Sequence, residues 1–300
     1  MSIDFDNLDF VDAGWADLPD ERERCRLEFG TLNFDQVSGQ MATDDKRTVD
    51  LTKYLEKVHG PKWYALTAQF ACGSCVSASG SCCINTLEAI NHVDNGADLP
   101  PVTCIEAMYS LSRVEVGKNR LWTAGSVAAW LVEAAKSYGV VPVGKYASGD
   151  FSHYDASRCC GQMSRTALPQ DMRAIAAKTT VKKYAAVRNF DEAATAISNG
   201  YSVIVASNQG FSKQRDDQGF ARPQGSWSHS MAALGVRHDR PGILIANSWM
   251  EFFVGSDVCP ACFWCDAKVF DRMAAQNDTF AISDLSGWER KGLNYGRLNW

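Results

Sequence analysis

Thiols dominate the chemistry that this sequence could perform. Its eleven cysteines fall unevenly: Cys72-x-x-Cys75, the adjacent pairs Cys82-Cys83 and Cys159-Cys160, the run Cys259-x-x-Cys262-x-x-Cys265, and Cys25 and Cys104 alone. The count is odd, so at least one thiol stays free. A thiol can attack a carbonyl, exchange with a disulfide or hold a metal, and each role needs different neighbours. Attack needs an imidazole to accept the thiol proton, and that imidazole needs an orienting partner on its other nitrogen. Five histidines are available: His59, His92, His153, His229 and His238. Zinc would need four thiolate or imidazole ligands in a tetrahedron. The two CxxC runs lie about 190 residues apart, much farther than in ribbons or fingers. Cys259, Cys262 and Cys265 therefore read as small buried apolar side chains beside a strand; no metal or other cofactor is expected, with a Cys-ligated zinc protein as the minority alternative.

Three segments single out one cysteine and one histidine. The first is Gln69-Phe70-Ala71-Cys72-Gly73-Ser74-Cys75, the second Ser228-His229-Ser230-Met231-Ala232-Ala233-Leu234-Gly235, and the third Ile243-Leu244-Ile245-Ala246-Asn247-Ser248-Trp249. In this order they resemble the papain-like (C1-type) cysteine peptidases, with their Gln-x-x-Cys-Gly-Ser-Cys, His-Ala-Val-x-x-x-Gly and Leu-Ile-x-Asn-Ser-Trp segments. The resemblance covers roughly residues 60–285. His229 lies 154 residues after Cys75 and Asn247 lies 172 after it, slightly beyond the usual interval and consistent with a modest insertion.

The resemblance implies roles. Cys75 opens a helix whose dipole favours thiolate. His229 forms the imidazolium partner and later protonates the leaving amine. Asn247 holds the ring, and Trp249 shields that hydrogen bond from water. The side chain of Gln69 and the backbone N–H of Cys75 would receive the oxyanion. Gly125-Ser126 falls where the family pairs with the substrate backbone. The implied function is hydrolysis of peptide or isopeptide bonds through a Cys75 thioester, with a peptide or protein as substrate.

The alternatives are a papain-fold binding or structural protein with weak or no catalysis, and a redox pair at Cys72/Cys75. No βαβ pattern precedes the latter, and a redox pair has no need of His229 or Asn247. His59, His92, His153 and His238 read as structural.

The sequence departs from the family at named places. Val76 stands where Trp usually follows the nucleophile, and Met250 replaces the Gly after Asn-Ser-Trp. In secreted members the cysteine before the nucleophile is bridged within the helical lobe. That makes Cys104 a candidate partner for Cys72, with a reduced pair equally open. About 50 residues precede the matching region, too few for the long helical inhibitory segment of secreted members. Met108–Arg113, 207–211 and Phe263-Trp264 resemble papain-like proteins encoded by bacteria and bacteriophages, which would fit a virion-associated protein.

The elements that must position these residues show in the periodicity. After Cys75, the residues Val76, Cys83, Ile84, Leu87 and Ile90 make an apolar stripe at helical spacing, with Ser74 as expected N-cap and Gly80 as a weak point. A second helix is expected over 126–138, ending at Gly139, and a third over 190–198. Strands are expected over 179–187, 201–207, 230–236, 242–248 and 262–270. The fold class is thus α+β: a helical lobe followed by a β-barrel-like lobe, with the active site in the cleft between them. The expected boundaries are an acidic extension over 1–50, the helical lobe over 51–165, the β-rich lobe over 166–285 and a tail over 286–300.

Composition narrows the partners. The net charge is −5 with 46% hydrophobic residues, which leaves no Lys/Arg surplus for a polyanion. No apolar stretch is long enough to cross a bilayer. Nucleic acid and membrane are therefore not expected partners. Residues 1–30 carry nine Asp/Glu against three Arg, without an apolar export signal, so the expected compartment is the cytoplasm. This arm reads as solvated. Phe5, Leu8, Phe10, Trp15 and Leu18 interleave its charges, and the alternative reading is an arm that docks onto a protein partner.

Overall fold

The computed structural model describes residues 10–39, 41, 46–284 and 287–298. In chain order the first elements are β1 (Phe10–Asp12), α1 (Pro19–Glu28), α2 (Phe34–Val37), β2 (Val49–Asp50), α3 (Thr52–His59), α4 (Cys75–Asn95), α5 (Ile105–Ser110) and α6 (Ala128–Ser137). After β3 (Lys145–Tyr146), β4 (Gly149–Asp150), α7 (Ala156–Cys160) and α8 (Gln170–Ala176), the second half alternates sheet and helix. It runs through β5 (Lys183–Ala186), α9 (Phe190–Ser198), β6 (Val203–Arg215), β7 (Ala221–Arg237), β8 (Gly242–Ala246), β9 (Cys262–Asp266), α10 (Ala267–Ala274) and β10 (Thr279–Ser283).

The helical half is built around α4, which is buried on nearly every side from Cys75 to Ile90. Such a helix can be apolar or small all round because no face meets water. Gly80 is a packing requirement rather than a flaw in the helix: a Cβ there would sit 2.0 Å from Leu131 Cδ2 on α6. Helix α6 begins two residues later than expected, and its free N-terminal N–H groups are capped from far away. Asp278 accepts from the backbone N–H of Ala128 and Ala129 at 2.9 and 3.0 Å. Ser74 does not cap α4 with its side chain; its hydroxyl pairs with Tyr154 Oη at 2.9 Å instead.

The sheet runs β5-β10-β6-β7-β8-β9, and both β1 and β2 pair with β7. It is open rather than closed into a barrel, with β5 and β9 at the ends of the path. The β6–β7 hairpin extends well beyond the expected strands and carries register shifts after Ser207. The segment expected as one strand over 262–270 is strand only to Asp266, whose side chain accepts from the Lys268 N–H and starts α10. Residues 287–298 are not a loose tail. Arg297 Nη1 donates to the carbonyl of Asp94 at 2.7 Å, and Asn294 N–H reaches Asp94 Oδ2 at 3.1 Å, tying the C-terminal segment to the end of α4.

Among the described residues no helix is long and apolar enough to cross a membrane.

Candidate active site

Helix α4 and strand β7 meet at the site. Cys75 is the first residue of α4 and is fully buried. One turn along, Ser79 Oγ pairs with Ser230 Oγ at 2.7 Å, which fixes the helix against the strand beside His229. The backbone N–H of Ser230, next in sequence to His229, reaches the Cys75 thiol, as do the N–H groups of Cys75 and Val76.

His229 Nε2 donates to Asn247 Oδ1 at 2.7 Å, because a carbonyl oxygen can only accept. That bond fixes the tautomer and leaves Nδ1 bare. Among the described residues Nδ1 has no hydrogen-bond partner. Trp249 stacks on the imidazole with ring centres 4.4 Å apart and planes 24° apart, and packs at a 59° tilt against Trp227 with ring centres 4.7 Å apart. Met250 takes a left-handed φ of 56°.

Gln69 joins the two halves of the site. Ser248 Oγ donates to Gln69 Oε1 at 2.6 Å, and the Gln69 backbone N–H donates to the Ser248 carbonyl at 3.1 Å. With Oε1 held, Nε2 faces the cleft, where it donates to the carbonyls of Ala13 at 2.8 Å and Cys72 at 2.9 Å. Ser248 carried no separate signal in the sequence beyond its place in Asn-Ser-Trp.

The cleft is filled by the chain itself. Strand β1 lies parallel to β7, with Asp12 opposite Ser228. The N–H groups of Ala13 and Trp15 both donate to the carbonyl of Ser228, the residue before His229, at 3.2 and 3.0 Å. Ser126 N–H donates to the Gly14 carbonyl at 2.8 Å, and Ala16 N–H donates to the Ser126 carbonyl at 2.9 Å. Gly125-Ser126 thus pairs with a backbone, and that backbone is the arm. Arg113 Nη1 and Tyr109 Oη hold Gly125 from behind.

Gly14 crosses over Gly73 with φ of 109°, so closely that a Cβ would lie 2.1 Å from the Gly73 carbonyl oxygen. Trp15 is buried, and its Nε1 donates to Asp278 Oδ2 at 2.7 Å. Farther along, Glu21 accepts from Trp130 Nε1 at 2.7 Å and pairs with Arg24 and Arg120. Residues 10–28 are therefore docked on their own molecule, which corrects the reading of a solvated arm. Phe5 and Leu8 lie outside the described residues.

This arrangement sets the protonation of the pair. Burial lowers the His229 pKa to about 4, against the opposing effect of the Asn247 hydrogen bond. Burial also raises the Cys75 thiol far above its usual value, outweighing the Ser230 N–H, and the Asp12 carboxylate adds to the rise. Both shifts favour the neutral thiol and the neutral imidazole.

Cys72 is bridged to Cys160 on α7, with Cα atoms 5.7 Å apart, and not to Cys104. Cys104 remains a thiol against the Glu106 carboxylate. The residues between the motifs could not reveal this choice, since both cysteines belong to the helical half. Among the described residues no group of three or more His, Cys, Asp or Glu side chains is arranged to hold a metal.

Comparison with solved structures gives the fold its relatives. Xylellain, a cysteine protease from Xylella fastidiosa, superposes with a TM-score of 0.58 at 13% identity, over 86% of this chain and 92% of that one. The chain has the papain-like fold. A ragweed pollen allergen that is a cysteine protease, in its proform, shares the fold with a TM-score of 0.53 at 13% identity, over 84% of this chain and 69% of that one. A structure from work on the mite allergens Blo t 1 and Der p 1 matches with a TM-score of 0.52 at 12% identity, over 88% and 82% of the two chains. No family model and no curated protein matches the sequence. In this papain-like chain the helical half supplies Gln69 and Cys75, and the sheet half supplies His229, Asn247 and Trp249.

Proposed function

We propose that the protein is a papain-like cysteine peptidase held in a self-blocked resting state by residues 10–16. The observation that carries this reading is the meeting of four groups: Cys75 at the start of α4, His229 bonded to Asn247, and Gln69 aimed into the cleft onto a peptide carbonyl. A displaced arm would readmit water. The thiol proton could then pass to His229 Nδ1, since the charged pair would no longer be penalised by burial. The thiolate would attack a substrate carbonyl whose oxygen takes the place of the Ala13 carbonyl on Gln69 Nε2. His229 would return the proton to the leaving amine, and water would release the acyl group from Cys75.

The filled cleft also favours a second reading, a papain-fold binding protein without catalysis. One experiment separates the two. The purified chain and its Gly14→Val variant are treated with an epoxysuccinyl thiol-protease inhibitor, and adducts are mapped by mass spectrometry. A valine cannot adopt the Gly14 backbone or fit over Gly73, so the arm should lift. The peptidase reading expects labelling of Cys75 at least about tenfold faster in Gly14→Val, a change of about 1.4 kcal/mol or more in the docking equilibrium. Labelling should vanish in Gly14→Val/His229→Ala and in Cys75→Ala. A Gly14→Val protein that is folded, open to protease at the arm and still unlabelled would leave only the binding reading.

A further inference from the structure

Cys259 and Cys262 play no part in the site just described, and the structure makes them an unusual pair. Of the cysteines outside the disulfide, Cys259 alone is partly exposed, and all the others are buried. It opens onto a cavity of about 490 Å³ lined by Asp50, Lys53, Glu56, Trp63 and Trp264.

Cys259-Pro260-Ala261-Cys262 is a tight turn, closed by Cys262 N–H donating to the Cys259 carbonyl at 2.7 Å. Proline at the second position presets the turn. The ends of such a turn lie within 7 Å of each other, inside the range a disulfide spans. The two thiols act on each other: the Cys262 thiol holds the Cys259 pKa below its ordinary value despite partial burial, while burial raises Cys262. Arg215, itself buried, brings a guanidinium to the turn and donates to the carbonyls of Val258, Cys259 and Cys262 at 3.0, 2.9 and 2.5 Å. The Asp50 carboxylate opposes the pull of that guanidinium on Cys259, so the arrangement rests on an accessible thiol with a second thiol behind it, which allows attack followed by resolution.

We propose that Cys259 and Cys262 form a thiol–disulfide exchange site that takes low-molecular-weight disulfides such as oxidised glutathione. The Cys259 thiolate attacks one sulfur of the disulfide, and the first small thiolate leaves. The Cys262 thiol gives its proton to solvent, and its sulfur attacks Cys259, expelling the second small thiolate. Two protein thiols are oxidised to one disulfide, and one small disulfide is reduced to two thiols.

The turn is joined to the active site through the backbone. The Ala261 carbonyl accepts the Asn247 N–H at 2.9 Å, and the Pro260 carbonyl accepts the Phe253 N–H at 2.9 Å. Any movement of the turn on closing the disulfide would pass through these bonds to the Asn247 backbone and, through Oδ1, to the His229 ring. That relay rests on the site geometry, while the exchange chemistry is independent of the peptidase reading.

The test equilibrates the full chain with graded ratios of reduced to oxidised glutathione, traps remaining thiols with an alkylator after acid quenching, and maps the peptides. The expected product is an intramolecular Cys259–Cys262 disulfide at ratios that leave Cys25, Cys83 and Cys265 alkylated as thiols. Cys262→Ser should stop at a glutathione adduct on Cys259, and Cys259→Ser should leave Cys262 unreacted. Cys82 lies close enough to influence both thiols electrostatically, so Cys82→Ala must still form the pair. A stable glutathione adduct on Cys259 in the wild type, a bridge to Cys82, or no reaction before unfolding would each overturn the proposal. The relay is read on the His229 imidazole by NMR, which needs no activity. Its resonances should shift on oxidation of the wild type and stay fixed in Cys259→Ser. A disulfide that forms without moving them would remove the relay.

Discussion

At the scale of single residues, the neutral state of His229 is the most consequential property. Its pKa of about 4 lies below the ordinary value of 6.5 because burial disfavours the imidazolium. The unfolded chain takes up a proton on this ring as pH falls below about 6.5, while the folded chain does so only near 4. Stability is therefore lost as pH falls across that window, by up to roughly 3 kcal/mol from this residue. NMR titration should show His229 still neutral at pH 5 in the intact chain, with its pKa rising by at least about one unit in Gly14→Val as water returns. An unchanged pKa in the variant would mean that β7 and Trp249, not the arm, keep the ring dry. The residues that do this work were largely legible in the sequence, since Gln69, Cys75, His229, Asn247 and Trp249 stand in motifs with known order. Asp278 was not. A single carboxylate late in the chain carries no pattern, yet it holds both Trp15 and the start of α6.

Among the elements, α4 and α6 show what periodicity can and cannot convey. The stripe after Cys75 places the helix, but Gly80 reads as a weak point until α6 is seen against it. Gly80→Ala gains helix propensity of about 1 kcal/mol and forces a methyl into Leu131. The overpacking should win, with a net loss of about 1–2 kcal/mol in urea denaturation, and Leu131→Ala, a cavity-forming change of about 2–5 kcal/mol at this buried site, should cost less in the Gly80→Ala background than in the wild type. Additive losses in the double variant would show that the two side chains do not press on each other. The arm was misread for a related reason. Its charge pattern suits water, and only the pairing of β1 with β7 shows that the backbone, not the side chains, makes the attachment. Asp278→Ala should loosen that attachment at Trp15 and uncap α6 together, lowering stability by about 2–3 kcal/mol. Limited proteolysis should then cut within residues 12–18 well before the core.

For the whole molecule, the order of a helical half before a sheet-rich half follows from the change of period along the sequence, while the open sheet, the β10 strand and the docking of residues 287–298 do not. These depend on pairings between segments far apart, which local pattern cannot encode. The Cys72–Cys160 bridge is of the same kind. It closes a separation of 88 residues, for which chain-entropy arguments give about 4–5 kcal/mol. Cys72→Ala/Cys160→Ala should lower the denaturation midpoint accordingly in oxidising buffer and match the wild type in reducing buffer. A double variant as stable as the oxidised wild type would place the bridge outside the stability of the core.

Because the blocking segment belongs to the same chain as the cleft, its local concentration is set by the tether and not by how much protein is present. Dilution cannot release it, and a crowded solution cannot strengthen it. Opening should follow first-order kinetics at every protein concentration. A free peptide copying residues 10–18 would have to reach about millimolar levels to do what the attached arm does.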